Sequence, residues 1–207
     1  MENYNEDYYL IEEFGGYQSP MLGIDYKIHP NAEGCEYLMF STMKGDENIL
    51  VHLCFASPVP RKPQMVDYHF CECRQVFSKK IRDVFKDREI TGLQWIPAVI
   101  EGKKGEKYTD YWIANAYQEY AFLDKEKSKY RSIDEHSGSW TGVDKIVIND
   151  ELISKVPLEE RLIFVAKEKF AYVLYHKTIV DLIMSVNPIG LIFIPLSEWY
   201  NGFVYKQ

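Results

Sequence analysis

Residues 92–97 read GLQWIP, and residues 190–195 read GLIFIP. The offset is 98, and it extends upstream: Lys79 falls on Lys177, Ile81 on Ile179, Asp83 on Asp181, and Val84-Phe85 on Leu182-Ile183. The matched positions have a physical reading. Ile81 and Phe85, like Ile179 and Ile183, lie one helical turn apart and would cover a sheet from one side. Gly92 and Gly190 follow where the chain must reverse, a place that favours positive φ. Pro97 and Pro195 each remove a backbone donor, which places them at an edge or where pairing stops. Two related helix–turn–strand units are expected, around 76–100 and 175–197, and the repeat reads as architecture rather than chemistry.

The rest of the pattern is β-rich. YYLIEEF (8–14), MLGIDYKI (21–28), EYLMF (36–40) and ILVHLCF (49–55) are short apolar runs separated by Gly, Pro and Asn, as in an antiparallel region. The prolines of ASPVPRKPQ (56–64) make that stretch a connection, and strand character resumes over 65–73. Val76, Phe77, Ile81, Val84 and Phe85 recur at helical spacing, with Lys79, Lys80, Arg82, Asp83 and Lys86 opposite, which predicts a helix over 75–90. GLQWIPAVI and YTDYWIANAY then form a hairpin around a polar tip. Residues 123–142 read as a polar excursion with one helical turn. DKIVIND follows as a strand, then a short helix in DELISKV capped by Asn149 or Asp150. RLIFVA and FAYVLYH are strands, KTIVDLIMSV a helix, and GLIFIPL a closing strand. The fold class is α+β, mostly antiparallel sheet. The chain reads as one domain over 1–207, with a β-rich N-terminal part (1–60) packed on the remainder as its one subdivision.

Charge narrows the partners. A formal charge of −7 and a pI of about 5.3 repel phosphate backbones, which argues against nucleic acid and suits a basic protein partner. Nothing approaches the run of about 18 apolar residues a membrane helix needs. The start MENYNEDYYL has neither the basic nor the apolar region of a signal peptide. The cysteines at 35, 54, 71 and 73 are not spaced as a disulfide framework. The expectation is a reduced, cytoplasmic protein.

Catalytic motifs do not emerge. EGKKGEK lacks the ending and the context of a phosphate loop, and GxSxG, HExxH and GxGxxG are absent. In HFCEC the side chains of His69, Cys71 and Cys73 would share one strand face, a start for a zinc site with Cys35 or Cys54 as fourth ligand. The competing reading is a core strand with buried, inert cysteines. His176 reads as a helix-boundary residue and His136 as solvated. The expectation is no enzyme, no cofactor and no metal, with His69 and Cys71 the centre of the enzyme alternative.

The polar stretch 108–140 mixes Tyr and Trp with carboxylates, the composition of an interface anchored by aromatics. Its Tyr111-Trp112 pair, Asn115, Leu123-Asp124 and Ser128 resemble the central signature of a bacterial polymorphic-toxin immunity family, immunity family eleven. DYYLIEEF near the start, RLIFVA, and the late GLIF agree with that resemblance, which spans nearly the whole chain. The long N-terminal β-region and HFCEC depart from it. The resemblance implies a non-enzymatic protein that binds and neutralises a cognate toxin C-terminal domain encoded by an adjacent gene. It supplies no contact residues. Those are read from charge: acids laid over a basic toxin cleft would block substrate and gain charge-assisted hydrogen bonds. The candidates are Asp110, Tyr111, Glu119, Asp124, Tyr130, Asp134, Glu135 and Trp140. A non-toxin binding or regulatory module is the alternative.

Overall fold

A computed structural model describes residues 3–14, 18–25, 27–28, 49–71 and 74–203. The strand expected at 36–40, and Cys35 and Cys73, lie outside the described residues. Two β-layers and an irregular outer layer stack in sequence, and the fold is α+β as expected.

The first layer is a closed barrel of β2 (Leu22–Ile24), β3 (Val51–Phe55), β4 (Tyr68–Cys71), β5 (Arg74–Ser78), β6 (Leu93–Glu101) and β7 (Lys107–Ala116). Its order is β2-β3-β6-β7-β5-β4, and the parallel pairing Leu22↔Cys71 closes it. The interior is filled by Leu22, Leu53, Cys71, Val76, Ile96, Ile100 and Ile113 among others. Burying these apolar side chains is the main force holding the barrel shut. β6 and β7 form the expected hairpin, running antiparallel from Leu93↔Ala116 to Glu101↔Lys107. Pro97 pairs with Trp112, and β3 joins β6 only from Ala98 onward, so the proline stands where that side of β6 has no strand neighbour.

The second layer is a sheet in the order β13 (Leu191–Pro195), β1 (Tyr8–Glu13), β12 (Val173–His176), β11 (Ile163–Ala166) and β8 (Glu119–Tyr120). Pro195 ends its edge strand. Antiparallel pairs dominate, with parallel pairing at β8–β11, β2–β4 and β3–β6. The strands drawn from residues 1–60 are shared out: β1 belongs to the open sheet, β2 and β3 to the barrel.

Alternation along the open sheet explains its two cores. Ile11, Ile163, Val165 and Tyr175 face the barrel, while Leu10, Phe164, Leu174 and Ile194 face outward. Tyr175 donates to Gln75 across the inner core, tying β12 to β5. A one-turn helix, α1 (Tyr4–Asp7), leads into β1, and the inner core also receives α2 (Lys79–Arg82), its following 3-10 turn (83–85), and α4 (Lys177–Met184). Ile81 and Phe85 meet Ile179 and Ile183 there. β5–α2–β6 and β12–α4–β13 share further local geometry. In each, one antiparallel strand (β7 or β1) lies between the two strands the helix joins. Gly92 and Gly190 adopt φ of 85° and 91°.

The helix expected over 75–90 is corrected. Its first residues, with Arg74, are strand β5, and only 79–82 are α-helical. Val76 and Phe77 are both fully buried on opposite faces of the barrel wall, so strand pairing with β4 and β7 overrides the helical spacing. DKIVIND forms no strand; two isolated bridges, Leu123↔Ile148 and Lys129↔Lys145, hold this part of the chain. The excursion carries no helix but single i→i+4 turns, Ser128 N–H to the Asp124 carbonyl at 3.0 Å and Gly138 N–H to the Asp134 carbonyl at 2.8 Å, the second at the tip of a small hairpin, β9 (Ser132–Ile133) and β10 (Trp140–Thr141). The short helix α3 (Asp150–Ile153) begins as expected, with Asn149 Oδ1 accepting the Leu152 N–H at 3.1 Å.

Candidate partner-binding surface

Residues 122–148 form the outer layer. Phe122, Leu123, Trp140, Val143, Ile146 and Ile148 are buried against the outward face of the open sheet. Glu168, itself buried, anchors it twice: Oε1 accepts the Leu123 N–H at 3.0 Å, and its carbonyl accepts the Trp140 N–H at 2.7 Å. Burial raises the Glu168 pKa.

Two aspartates shape the exposed side. Asp124 Oδ1 accepts the N–H groups of Glu126 and Lys127 at 3.0 and 3.1 Å, and Lys127 Nζ lies 3.2 Å from Oδ2. The Lys127 amide is the chief reason this carboxyl titrates below its usual range. Asp134 does the same at the hairpin tip, accepting from the amides of His136 (3.2 Å) and Ser137 (2.8 Å) and from Ser137 Oγ (2.8 Å). The Ser137 amide leads the causes that hold Asp134 low. Both are Asx-type turns, in which a short carboxylate satisfies amides that the reversing chain leaves without a backbone partner.

Between the turns, 125–131 runs beside 141–145. The Lys129 N–H donates to the Lys145 carbonyl and the Asp144 N–H to the Lys129 carbonyl, both at 2.8 Å, and the Arg131 N–H donates to the Thr141 carbonyl at 2.9 Å. Ser128, buried, accepts the Val147 N–H at 2.9 Å. The cleft between these segments has a volume of about 660 Å³. Lys125, Lys129, Arg131, Tyr130, Gly142 and Asp144 line it. Tyr130 stacks on Trp140, with centroids 4.2 Å apart and planes 21° from parallel.

The structure therefore distributes the eight residues read from the sequence over three elements. Asp124, Tyr130, Asp134, Glu135 and Trp140 belong to the outer layer; Glu119 lies on β8 at the sheet edge; Asp110 and Tyr111 lie on barrel strand β7. Glu135, Asp134 and Asp110 are exposed. Trp140 is 1% exposed and Tyr111 8%, so each packs a core. Tyr111 donates to the Val66 carbonyl at 2.9 Å, and burial pushes its pKa up to about 12. Sequence reasoning passed over the cleft cations. KEKSKYR displays them, but no local signal pairs 125–131 with 141–145, which are joined through the backbone.

His69 and Cys71 share a buried face of β4, as alternation predicts. His69 Nδ1 donates to the Pro20 carbonyl at 3.1 Å with Ser19 Oγ 3.2 Å away, and Nε2 accepts the Val66 N–H at 3.2 Å. Both ring nitrogens are thus engaged in holding the 18–20 and 65–67 connections to the barrel. Burial lowers the His69 pKa to about 4, which keeps the ring neutral. Among the described residues, no three His, Cys, Asp or Glu side chains are grouped to hold a metal ion. Among the described residues no helix is long and apolar enough to cross a membrane. His176 sits at the boundary of α4, its Nδ1 accepting the Thr178 N–H at 3.2 Å.

These features describe an α+β protein whose exposed polar layer is braced by buried aromatics. The model of the immunity protein family Imm11 matches residues 48–193, from the segment entering β3 to the middle of β13. The chain belongs to this family. Comparison with curated proteins gives no match.

Proposed function

We propose that this chain is an immunity protein that binds a cognate toxin domain and neutralises it by occupancy rather than by catalysis. It acts in the cytoplasm of the producing cell, as part of a polymorphic toxin system with the toxin encoded by an adjacent gene. Membership of the Imm11 family across 48–193 is the observation that carries this reading. The whole chain, 1–207, acts as one binding domain, and its two strand–helix–strand units are copies of one structural element.

The contact surface is assigned to the outer layer. Asp134 and Glu135 project at the hairpin tip, Asp124 borders the first turn, and Tyr130 offers its ring at the cleft. Tyr111 and Trp140 act from beneath as packing supports. Asp110 and Glu119 lie on other elements and are placed outside the central contact. Rigid aromatics surrounded by charge suit such an interface, because little conformational entropy is lost on binding.

The experiment is co-purification of the tagged chain with the C-terminal domain encoded next to it, paired with growth of cells expressing that domain with and without the chain. A stable complex and restored growth are expected. Failure of both removes the toxin reading and leaves only the family fold.

A further inference from the structure

The cleft of the outer layer has the wrong sign for the chain that carries it. The whole sequence sums to −7, yet Lys125, Lys129 and Arg131 face the cleft against the single carboxylate of Asp144. None of these three cations forms an ion pair among the described residues, whereas the neighbouring Lys127 is engaged by Asp124 at 3.2 Å.

The backbone that carries the cations is also held in place. Backbone hydrogen bonds from Lys129 and Arg131 fix both to the opposite wall. Arg131 lies against Gly142 so closely that a Cβ there would stand 2.9 Å from Arg131 Cβ and 3.2 Å from its Nε. A glycine at this point leaves room for the Arg131 side chain beside the cleft. Tyr130, stacked on buried Trp140, gives the cleft a rigid aromatic surface.

The geometry points to a subsite for a carboxylate-bearing segment of the partner: an acidic side chain enters the cleft, pairs with Arg131 and Lys129, and packs its stem on Tyr130. A guanidinium matches a carboxylate in a two-point fork, and a backbone and aromatic surface already fixed reduce the ordering cost. The outer layer is thereby bipolar, with Asp134 and Glu135 at its tip and cations in its cleft, so it selects a toxin surface carrying both signs.

The inference rests on the toxin-binding reading, but its test needs no toxin. Amide shifts of the full 15N-labelled chain are followed during titration with a blocked tetraglutamate peptide, a tetraglutamine peptide, and inorganic phosphate. Tetraglutamate is expected to give saturable shifts centred on 125–131 and 141–145. These should weaken at higher salt and fall at least about tenfold in the Lys129→Glu/Arg131→Glu variant. Arg131→Gln, milder in charge and size, serves as the second variant if the double reversal unfolds the hairpin. An equal response to tetraglutamine, a stronger one to phosphate, shifts centred elsewhere, or no saturation overturns the inference. Toxin capture and peptide titration fail independently, so loss of one result does not imply loss of the other.

Discussion

Arg161 Nη1 donates to the phenol oxygen of Tyr8 at 2.7 Å, and the same phenol donates to the Arg161 carbonyl at 3.0 Å. This reciprocal pair joins the first residue of β1 to the turn before β11. Among the described residues Arg161 is buried without a carboxylate partner: its Nε donates to the Val156 carbonyl at 2.8 Å, and its guanidinium lies 5.0 Å from the centroid of the Tyr4 ring. A buried cation supported by neutral groups depends on each of them.

Tyr8→Phe is therefore expected to destabilise the fold by about 1–3 kcal/mol, because it strips an acceptor from a buried cation while keeping the ring. The midpoint of urea unfolding should drop with the slope unchanged. An unshifted midpoint would show that water or another group replaces the phenol. Burial also pushes the Tyr8 pKa up to about 12, with Arg161 opposing that rise. The unfolded phenol ionises first, so stability falls as pH rises from about 10 toward 12. Tyr8→Phe should remove part of that alkaline loss.

His69 sets an opposite dependence at acid pH. Its folded pKa of about 4 lies below the ordinary 6.5, so between those values the unfolded chain binds more protons. Stability from neutral His69 is present above about 6.5 and declines as pH falls toward 4, by at most about 1.4 kcal/mol per pH unit. His176, also lowered chiefly by burial, acts in the same direction, whereas Glu13 and Glu168, raised by burial, act against it. Subtraction isolates His69. The stability difference between the wild type and His69→Gln should narrow as pH drops from 6.5 to about 4. A difference independent of pH over that window would show that the His69 ring protonates as readily folded as unfolded.

The paired glycines give a packing prediction. At Gly190 a Cβ would stand 2.5 Å from Val66 Cγ2, and at Gly92 it would stand 2.6 Å from Gln118 Cβ. Each alanine substitution combines positive-φ strain with a steric clash and should cost about 2–4 kcal/mol. The two contributions separate in a double-mutant cycle. Adding Val66→Ala to Gly190→Ala removes the Cγ contacts but leaves Val66 Cβ at 2.6 Å, so it should recover part of the clash and none of the roughly 1 kcal/mol of backbone strain. Full additivity of the two single costs would refute the contact as the source.

These glycines were legible before the fold because backbone chirality acts locally: a chain reversal after an amphipathic helix asks for a residue free of a Cβ. Ile81, Phe85, Ile179 and Ile183 were legible for the same reason, since their spacing alone marks the face that enters the inner core. Val76 and Phe77 were not, because over five residues a fully buried strand and the first turn of a helix present the same apolar letters. Barrel closure hangs on the contact of Leu22 with Cys71, 49 residues later, and no local rule encodes such a pairing. The cleft was hidden likewise. Its lysines are plain in the sequence, but their convergence with Gly142 and Asp144 depends on backbone bonds between segments that form no regular strand.

The same structure separates charge from architecture in the proposed contact surface. Asp134 and Glu135 are adjacent and exposed, yet Asp134 organises the hairpin tip through three hydrogen bonds, while the Glu135 side chain makes none among the described residues. Glu135→Lys should weaken binding of the toxin domain at least about fivefold while leaving the melting temperature unchanged, since it reverses a charge without touching the turn. Asp134→Lys should weaken binding and also broaden the amide signals of 134–139, because the turn loses its acceptor. Asp134→Asn is the informative intermediate: its side-chain oxygen can still accept from Ser137, so the turn survives with the charge gone. If Asp134→Asn binds as tightly as the wild type while Glu135→Lys fails, Glu135 carries the charge contact and Asp134 only presents it. If neither variant moves the affinity by more than about twofold, the hairpin tip lies outside the interface.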